Sequence, residues 1–173
     1  LVRRYGTRGA WLARMSQGLD ARSVEADREA VSLSAETTSA HDLSAFADLD
    51  ARLWPLAEKV SAQLKAADLS GHSVVLKLKL ANFRVLSRHR KLPDPTQLAE
   101  TIYQAAKALL ARECDGRKFR LIGVGAADLR PGSEADPPRL LDRAKPPPSA
   151  VERAIDKINE RFGKGAVRKG RGL

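Results

Sequence analysis

The chain has 173 residues, and its 31 Lys and Arg against 21 Asp and Glu give a formal net charge of +10. Its single cysteine, Cys114, excludes an internal disulfide, and no apolar run approaches the roughly 18 residues of a membrane span. So basic a chain predicts a polyanionic partner, usually nucleic acid, and the lone cysteine is typical of a reducing cytoplasm. The alternative is a soluble protein with a charged surface and no polyanionic partner.

The first 31 residues predict a helical segment followed by a linker. Two short helical pieces are expected, joined by a turn over residues 5–9. Trp11, Leu12 and Met15 share one helical face, which has to be covered by something. Residues 20–30 are charged and carry no apolar period, so they are expected to form a linker.

A strand and a helix are predicted next. Val31, Leu33 and Ala35 alternate with serines, which is typical of a strand. An apolar stripe then predicts either a helix kinked at Pro55 or a helix that begins near Leu53 with Pro55 in its first turn. The stripe consists of Phe46, Leu49, Leu53, Leu56, Val60 and Leu64.

The following residues predict a hairpin, a second helix and a last strand. Residues 73–80 alternate between apolar and polar positions, and residues 83–91 follow as a second strand. A helix capped by Thr96 is expected to run to about Glu113, and residues 117–129 form the last strand. This order predicts an α+β fold, a βαββαβ domain whose four-stranded antiparallel or mixed sheet carries two helices on one face.

The C-terminal residues predict a linker and a tail. Residues 131–150 are rich in proline and charge, and they are expected to be a flexible linker. Residues 151–162 predict a short amphipathic helix, and the basic end after residue 163 is expected to be disordered.

Positive charge is concentrated in the predicted hairpin, where residues 73–91 contain six Lys or Arg and no acid. Lys77 and Lys79 share one face of their strand, and three arginines share one parity of the next. Because the helices must cover the apolar face, these cations are expected together on the other face, where their rows match phosphates. The alternative is a solvated sheet face. The candidate contacts are Lys77, Lys79, Arg84, Arg88, Arg90, Arg117, Lys118, Arg120 and, in the first segment, Arg8.

Aromatic residues are scarce around these cations. Phe83 is the one candidate for stacking on a base, and a phenylalanine is more often expected in the core. A protein that binds single-stranded nucleic acid by stacking needs exposed aromatic side chains for the bases. The pattern therefore favours contacts with the nucleic-acid backbone over base reading.

The sequence shows no arrangement of residues that indicates catalysis. Asp48 and Asp50 lie near a predicted helix start, where the helix dipole favours acids. The three histidines are isolated and have no metal-ligand spacing. No catalytic residue and no metal ligand is therefore assigned in this chain.

Three sequence stretches carry a resemblance. They are SLSAETT at 32–38, VLKLKLANF at 75–83 and GRKFRLIGVG at 116–125. Together and in this order they resemble the little finger domain of Y-family translesion DNA polymerases of the DNA polymerase IV branch. Residues 5–20 are similar to the end of that family's thumb.

The resemblance implies a role for the chain within a DNA polymerase. The little finger of that family lies in the major groove and grips the backbone of duplex template–primer DNA during error-prone synthesis across lesions. The family binds Mg²⁺ through carboxylates of an N-terminal palm, and none of those positions exists here. The chain alone is therefore expected to be inactive, monomeric and without a cofactor of its own.

The resemblance also divides the chain. The end of the thumb is expected at residues 1–22, a linker at 23–31 and the little finger at 32–130. A flexible linker at 131–150 and a tail at 151–173 complete the division.

Two alternatives to DNA gripping stay open. Family members often end in a clamp-binding peptide with a Gln, a Leu and then Leu-Phe. The linker here offers only Leu140 and Leu141 for such a contact with a sliding clamp. The other alternative is an independent RNA-binding domain, because split βαβ sheets also serve that role.

Overall fold

The computed structural model describes residues 2–23, 30–137, 148–163, 165–167 and 170. Four helices and four strands follow one another in these ranges, with one turn of 3₁₀ helix at Gly132–Glu134. In chain order they are α1 (Val2–Ser16), β1 (Ser32–Leu43), α2 (Phe46–Ala66), β2 (Leu69–Leu80), β3 (Val85–Thr96), α3 (Ala99–Leu110), β4 (Phe119–Pro131) and α4 (Pro148–Phe162).

The four strands form one sheet in the order β1-β4-β2-β3, and every neighbouring pair is antiparallel. Helices α2 and α3 pack together on one face, where they bury Val74, Leu76 and Leu78 of the central strand β2. These three side chains are at most 1% exposed because the alternation of β2 directs them all toward the helices. The predicted α+β fold with two helices on one face is confirmed.

Helix α2 supplies much of the core. It runs without interruption through Pro55, so it begins at Phe46 rather than near Leu53. Its buried residues Leu53, Val60 and Leu64 have no exposed surface. Burying an aliphatic side chain of this size contributes about 2 kcal/mol, so this stripe fixes the helix on the sheet.

The N-terminus of α3 is capped by a residue from far along the chain. Thr96 was predicted to be its cap, but the helix begins at Ala99 and the Thr96 hydroxyl accepts only the N–H of Leu98, at 3.0 Å. The N–H of Ala99 instead donates to the Glu152 carboxylate of α4, at 2.9 Å. Helix α4, which the sequence predicts at 151–162, therefore docks on the domain.

The predicted linker after β4 begins later than expected. The N–H of Asp136 donates to the carbonyl of Pro95 at 2.9 Å, and the Asp136 carboxylate accepts the N–H of Gln97 at 3.1 Å. These bonds fix Asp136 against the residues that lead into α3. Helix α4 then begins at Pro148, three residues before the predicted start of the tail.

Helix α1 differs from the core helices because its side chains are largely exposed. Gly6 interrupts it with non-helical angles, φ 54° and ψ −134°, which agrees with two predicted pieces joined by a turn. Trp11 and Leu12 are 48% and 44% exposed, so the apolar face that they share is largely uncovered. None of the described helices combines the length and the apolar character needed to cross a membrane.

Candidate nucleic-acid interface

The sheet has one face covered by helices and one that they leave open. We define the open face as the even-numbered residues 32–38 of β1 with the odd-numbered residues 121–127 of β4, 73–79 of β2 and 85–91 of β3. These residues are paired directly across the strands, and paired residues project from the same side of an antiparallel sheet. The core residues of β2 have the opposite parity, so the open face points away from α2 and α3.

Lys77 and Lys79 lie on the open face, as predicted. The Nζ atom of Lys77 is 2.7 Å from the Glu36 carboxylate of β1. Gly123 of β4 is paired with Glu36 on one side and with Lys77 on the other. Because it has no side chain, it leaves room for these two side chains to meet above it. A Cβ at Gly123 would lie 2.9 Å from the Cβ of Glu36, so the two strands approach closely here.

A second glycine of β4 repeats this arrangement one row further along. A Cβ at Gly125 would lie 3.1 Å from the Cβ of Ser34 and 3.2 Å from the carbonyl oxygen of Leu33. Serines and glycines thus form a shallow depression across the open face, lined also by Val75 and Ser87. A strand backbone this bare allows a bound chain to approach closely.

Arg84, Arg88 and Arg90 do share one parity, but the prediction that they join the lysines on the open face is wrong. Arg88 is paired with Leu76 and Arg90 with Val74, so both project from the helix-covered side. Arg84 lies opposite Leu80, because its carbonyl accepts the N–H of Leu80, at 2.9 Å. It therefore projects from the same side as Arg88 and Arg90.

The reason is that β3 is an edge strand with a mixed inner face. Leu86 and Leu92 of the same parity reach the core, so they fix which side of β3 faces the helices. The helix layer covers the edge strand only in part, and Arg88 keeps 43% of its side chain exposed. Long guanidinium side chains can thus leave the inner face past the edge and still reach water.

Arg88 and Arg117 meet at one buried acid. Arg88 Nε and Nη2 donate to the two carboxylate oxygens of Glu113 at 2.7 and 3.1 Å, and Arg117 Nη2 donates at 3.0 Å. Glu113 is only 8% exposed in its side chain. A hydrogen bond from Arg117 also holds the pKa of Asp115 below its ordinary value. Arg88 therefore holds the loop after α3 against β3, and Arg117 makes its bonds within that loop.

His89 and Lys91 take the place of these arginines on the open face. His89 is paired with Val75 and Lys91 with Ser73, and both are exposed. The sequence assigned no contact to Lys91, whereas His89, in the same basic run, was named as a residue that could touch DNA. The parity of Leu86 marks the inner face of β3, and this signal would have placed both residues outside.

The hairpin tip, which we define as residues 81–84, closes one end of the open face. Phe83 was expected in the core, but it is 61% exposed. The Nζ atom of Lys79 lies 5.2 Å from the centre of its ring and the Cζ atom of Arg120 lies 4.6 Å from it. Arg120 is the extra residue of a bulge in β4, because Lys79 is paired with Leu121 and Leu80 with Phe119.

The remaining predicted contacts lie at different distances from this site. Lys118 is exposed in the loop before β4, and its carbonyl accepts the N–H of Ala81 at the hairpin tip, at 3.0 Å. Arg8 is exposed on α1 and not on the sheet. Leu140 and Leu141, the candidate clamp contacts, lie outside the described residues.

No metal centre is assigned in this part of the chain. Within the described residues, no three His, Cys, Asp or Glu side chains lie close enough to hold a metal ion.

The open face belongs to a domain of a known family. A family model described as the impB/mucB/samB family C-terminal domain matches residues 30–139. The chain belongs to this family. The match includes all four strands of the sheet and the two helices, α2 and α3, that cover its other face.

Curated relatives connect the chain with DNA polymerases. DNA polymerase IV of Brucella melitensis biotype 1 is 47% identical over 170 residues, which cover 98% of this chain and 38% of the relative. DNA polymerase IV 1 of Mesorhizobium japonicum is 46% identical over 170 residues, which cover 98% and 39%. The predicted resemblance to the DNA polymerase IV branch of the Y-family is confirmed. The chain spans about two fifths of the length of these relatives.

Solved structures show the same fold. The little finger domain of PolIV, determined in complex with a beta-clamp processivity factor, matches with a TM-score of 0.50 and 21% identity, covering 66% of this chain and 99% of that one. A Y-family DNA polymerase chimera matches with a TM-score of 0.53 and 15% identity, covering 71% and 35%. At these identities the likeness confirms the little finger fold.

Proposed function

We propose that this chain is the DNA-holding C-terminal part of an error-prone DNA polymerase of the DNA polymerase IV type, and that its open face grips the backbone of template–primer DNA. The observation that carries the proposal is the helix-free sheet face with Lys77, Lys79, His89 and Lys91. Along a strand, such side chains repeat about every 7 Å, and neighbouring strands add rows about 5 Å apart. A cationic surface of this kind binds phosphates and releases their counterions.

The composition of the open face favours backbone contacts over base reading. Its defined positions contain no Asn, Gln or Arg, the side chains that most often read base edges through paired hydrogen bonds. They contain serines and two glycines instead, which let a phosphate backbone approach the strands. Contacts of this kind position a duplex without selecting its sequence, as a polymerase requires on varied templates.

Neutralising the lysines of the open face tests the proposal. The triple variant Lys77→Gln, Lys79→Gln and Lys91→Gln is expected to weaken duplex binding by about 10- to 100-fold and to lower the salt slope by about 1 for each lost phosphate contact. Fluorescence anisotropy of a labelled duplex at several salt concentrations measures both quantities.

A matched control removes the same charge elsewhere. Lys59→Gln, Arg153→Gln and Lys157→Gln neutralise three exposed cations on α2 and α4, away from the open face. Equal losses in the two triple variants would show that net charge alone drives binding, and the open face would lose its role. Tighter binding of single-stranded RNA than of duplex DNA would favour the RNA-binding alternative.

A second candidate function is contact with a sliding clamp. The solved little finger domain of PolIV that this fold matches was determined in complex with a beta-clamp processivity factor. For this chain, Leu140 and Leu141 are the proposed contacts. A clamp pull-down that is insensitive to Leu140→Ala with Leu141→Ala would contradict this site.

The chain alone is proposed to be unable to extend a primer. This follows from its lack of the palm carboxylates that the family uses. A primer-extension assay with the 173-residue chain and Mg²⁺ tests it, and nucleotide addition would overturn the assignment.

A further inference from the structure

The backbone of Phe83 adopts a conformation that its side chain disfavours. Its φ is +68°, in the left-handed region that bulky residues rarely enter and that glycine enters without strain. Hydrogen bonds hold the turn in place: the N–H of Phe83 donates to the carbonyl of Leu80 at 2.9 Å, and the N–H of Arg84 donates to the Asn82 side chain at 3.1 Å. Strain fixed in this way points to a use for the ring itself.

The ring is exposed to solvent beside two cations. Phe83 keeps 61% of its surface exposed, while Arg120 and Lys79 approach its ring centre to 4.6 and 5.2 Å. The Nε atom of Arg120 is buried and has no hydrogen-bond partner among the described residues. The carboxylate of Asp42 is 3.8 Å from it, beyond hydrogen-bonding distance.

Only some ligands satisfy an exposed ring beside two cations. A purely apolar protein surface would cover the ring but would bury Lys79 and Arg120 with only the Asp42 carboxylate, 3.8 Å from Arg120, to offset their charge. A nucleotide satisfies both parts, because its base stacks on the ring and its phosphate attracts the cations. A base inside a duplex already has both flat faces covered by its neighbours. The site therefore fits an unpaired base.

We propose that the hairpin tip binds an unpaired nucleotide of single-stranded DNA by stacking its base on Phe83. The inference rests on the proposed function, because Lys79 belongs both to the last row of the open face and to this site. A duplex held on the open face would end near the tip. A single strand that leaves the duplex at this end reaches Phe83.

The experiment compares two labelled DNA ligands with the 173-residue chain. One is a blunt duplex and the other is the same duplex with a short single-stranded extension. The unmodified chain is expected to bind the extended duplex about 5- to 150-fold more tightly, which corresponds to one stacked base. Phe83→Gly is expected to abolish this preference without changing affinity for the blunt duplex, and Phe83→Tyr to retain it.

The glycine variant also separates a binding role from a structural one. Because glycine relieves the strain at φ +68°, Phe83→Gly is expected to keep its melting temperature within about 4 °C of the unmodified chain. A matched control is Phe162→Gly on α4, where the ring is 69% exposed and has the Cζ atom of Arg161 at 5.5 Å. This control is expected to leave the preference for the extension intact.

Several outcomes would overturn the tip site. They are an unchanged preference in Phe83→Gly, an equal loss on both DNA ligands, an equal loss in the Phe162→Gly control, or a loss of clamp binding with DNA binding unchanged. If the unmodified chain failed to bind the blunt duplex, the proposed function would be wrong. A Phe83-dependent affinity for the extension would in that case still support the tip site.

Discussion

The two sides of strand β3 both carry basic side chains, but these side chains have different partners. On the helix side, Arg88 donates two hydrogen bonds to Glu113, which is 8% exposed. On the open side, His89 and Lys91 are exposed to solvent. A cation that is matched to a buried acid stabilises the fold, whereas a cation on an open row is available to a phosphate. The local partner, more than the charge, decides the role.

Removing the buried acid tests whether Arg88 stabilises the fold. Glu113→Gln removes the charge that holds Arg88, and it is expected to destabilise the chain by about 1–3 kcal/mol, since charge-assisted hydrogen bonds to a buried carboxylate are lost. Duplex affinity is expected to change by less than about twofold when it is measured on folded protein. Urea denaturation gives the stability and anisotropy gives the affinity.

The reverse pattern would contradict the structural role of Arg88. If Glu113→Gln kept its stability but strongly changed DNA binding, Arg88 would belong to the interface. The helix-side arginines would then have to be counted with the lysines of the open face.

The difference between the two sides of β3 also shows what a sequence can predict. The alternation of Leu76, Leu78 and Leu80 is a local pattern, so it correctly predicted the strand β2 and its inner face. The face of β3 depends on pairing with β2 and on where an edge strand leaves the helix layer. The three arginines share a parity, but only Leu86 and Leu92 reveal that this parity faces inward.

Contacts between residues far apart in the chain also could not be predicted from the sequence. The capping of α3 by Glu152 joins residues 53 positions apart, and no periodic pattern announces such a contact. The exposure of Phe83 depends on a left-handed turn whose sequence, Ala-Asn-Phe-Arg, contains no glycine. The order of the predicted elements supplied the fold, and the resemblance supplied the link to DNA polymerases. Identifying the residues that form the site required the register of the strands.

An acid on the open face allows a smaller test of the same comparison. Glu36 and Lys77 form an exposed pair, and such pairs contribute less than about 1 kcal/mol to stability. Glu36→Gln is expected to leave stability nearly unchanged and to strengthen duplex binding about threefold, because Lys77 becomes free for a phosphate. The salt slope from anisotropy is expected to rise by up to about 0.9.

The control for this prediction is Glu160→Gln on α4, which adds the same net charge at an exposed position away from the open face. If Glu160→Gln strengthened binding as much as Glu36→Gln, the gain would come from net charge. The pairing of Glu36 with Lys77 would then have no part in DNA binding.

The smallest expected effect concerns a helix-side cation and alkaline pH. Lys65 of α2 donates to Glu152 at 2.9 Å and to Asp156 at 2.6 Å, and so ties α4 to the domain. Burial opposes its charge, but the hydrogen bonds to Asp156 and Glu152 outweigh burial and raise the pKa of Lys65. A raised pKa in the folded state means that this stabilisation is complete below about pH 10.4, the value of an unpaired lysine, and is lost as the pH rises through the folded pKa.

The pH dependence can be isolated by comparing Lys65→Met with the unmodified chain. At pH 8 the variant is expected to be less stable by about 0.5 kcal/mol, and the difference is expected to narrow above about pH 10.4. Lys59→Met, an exposed lysine of the same helix, controls for the general titration of lysines. A difference that stayed constant from pH 8 to pH 11 would mean that the charge of Lys65 does not stabilise the docking of α4, because the lysine ammonium group loses its charge as the pH rises through this range.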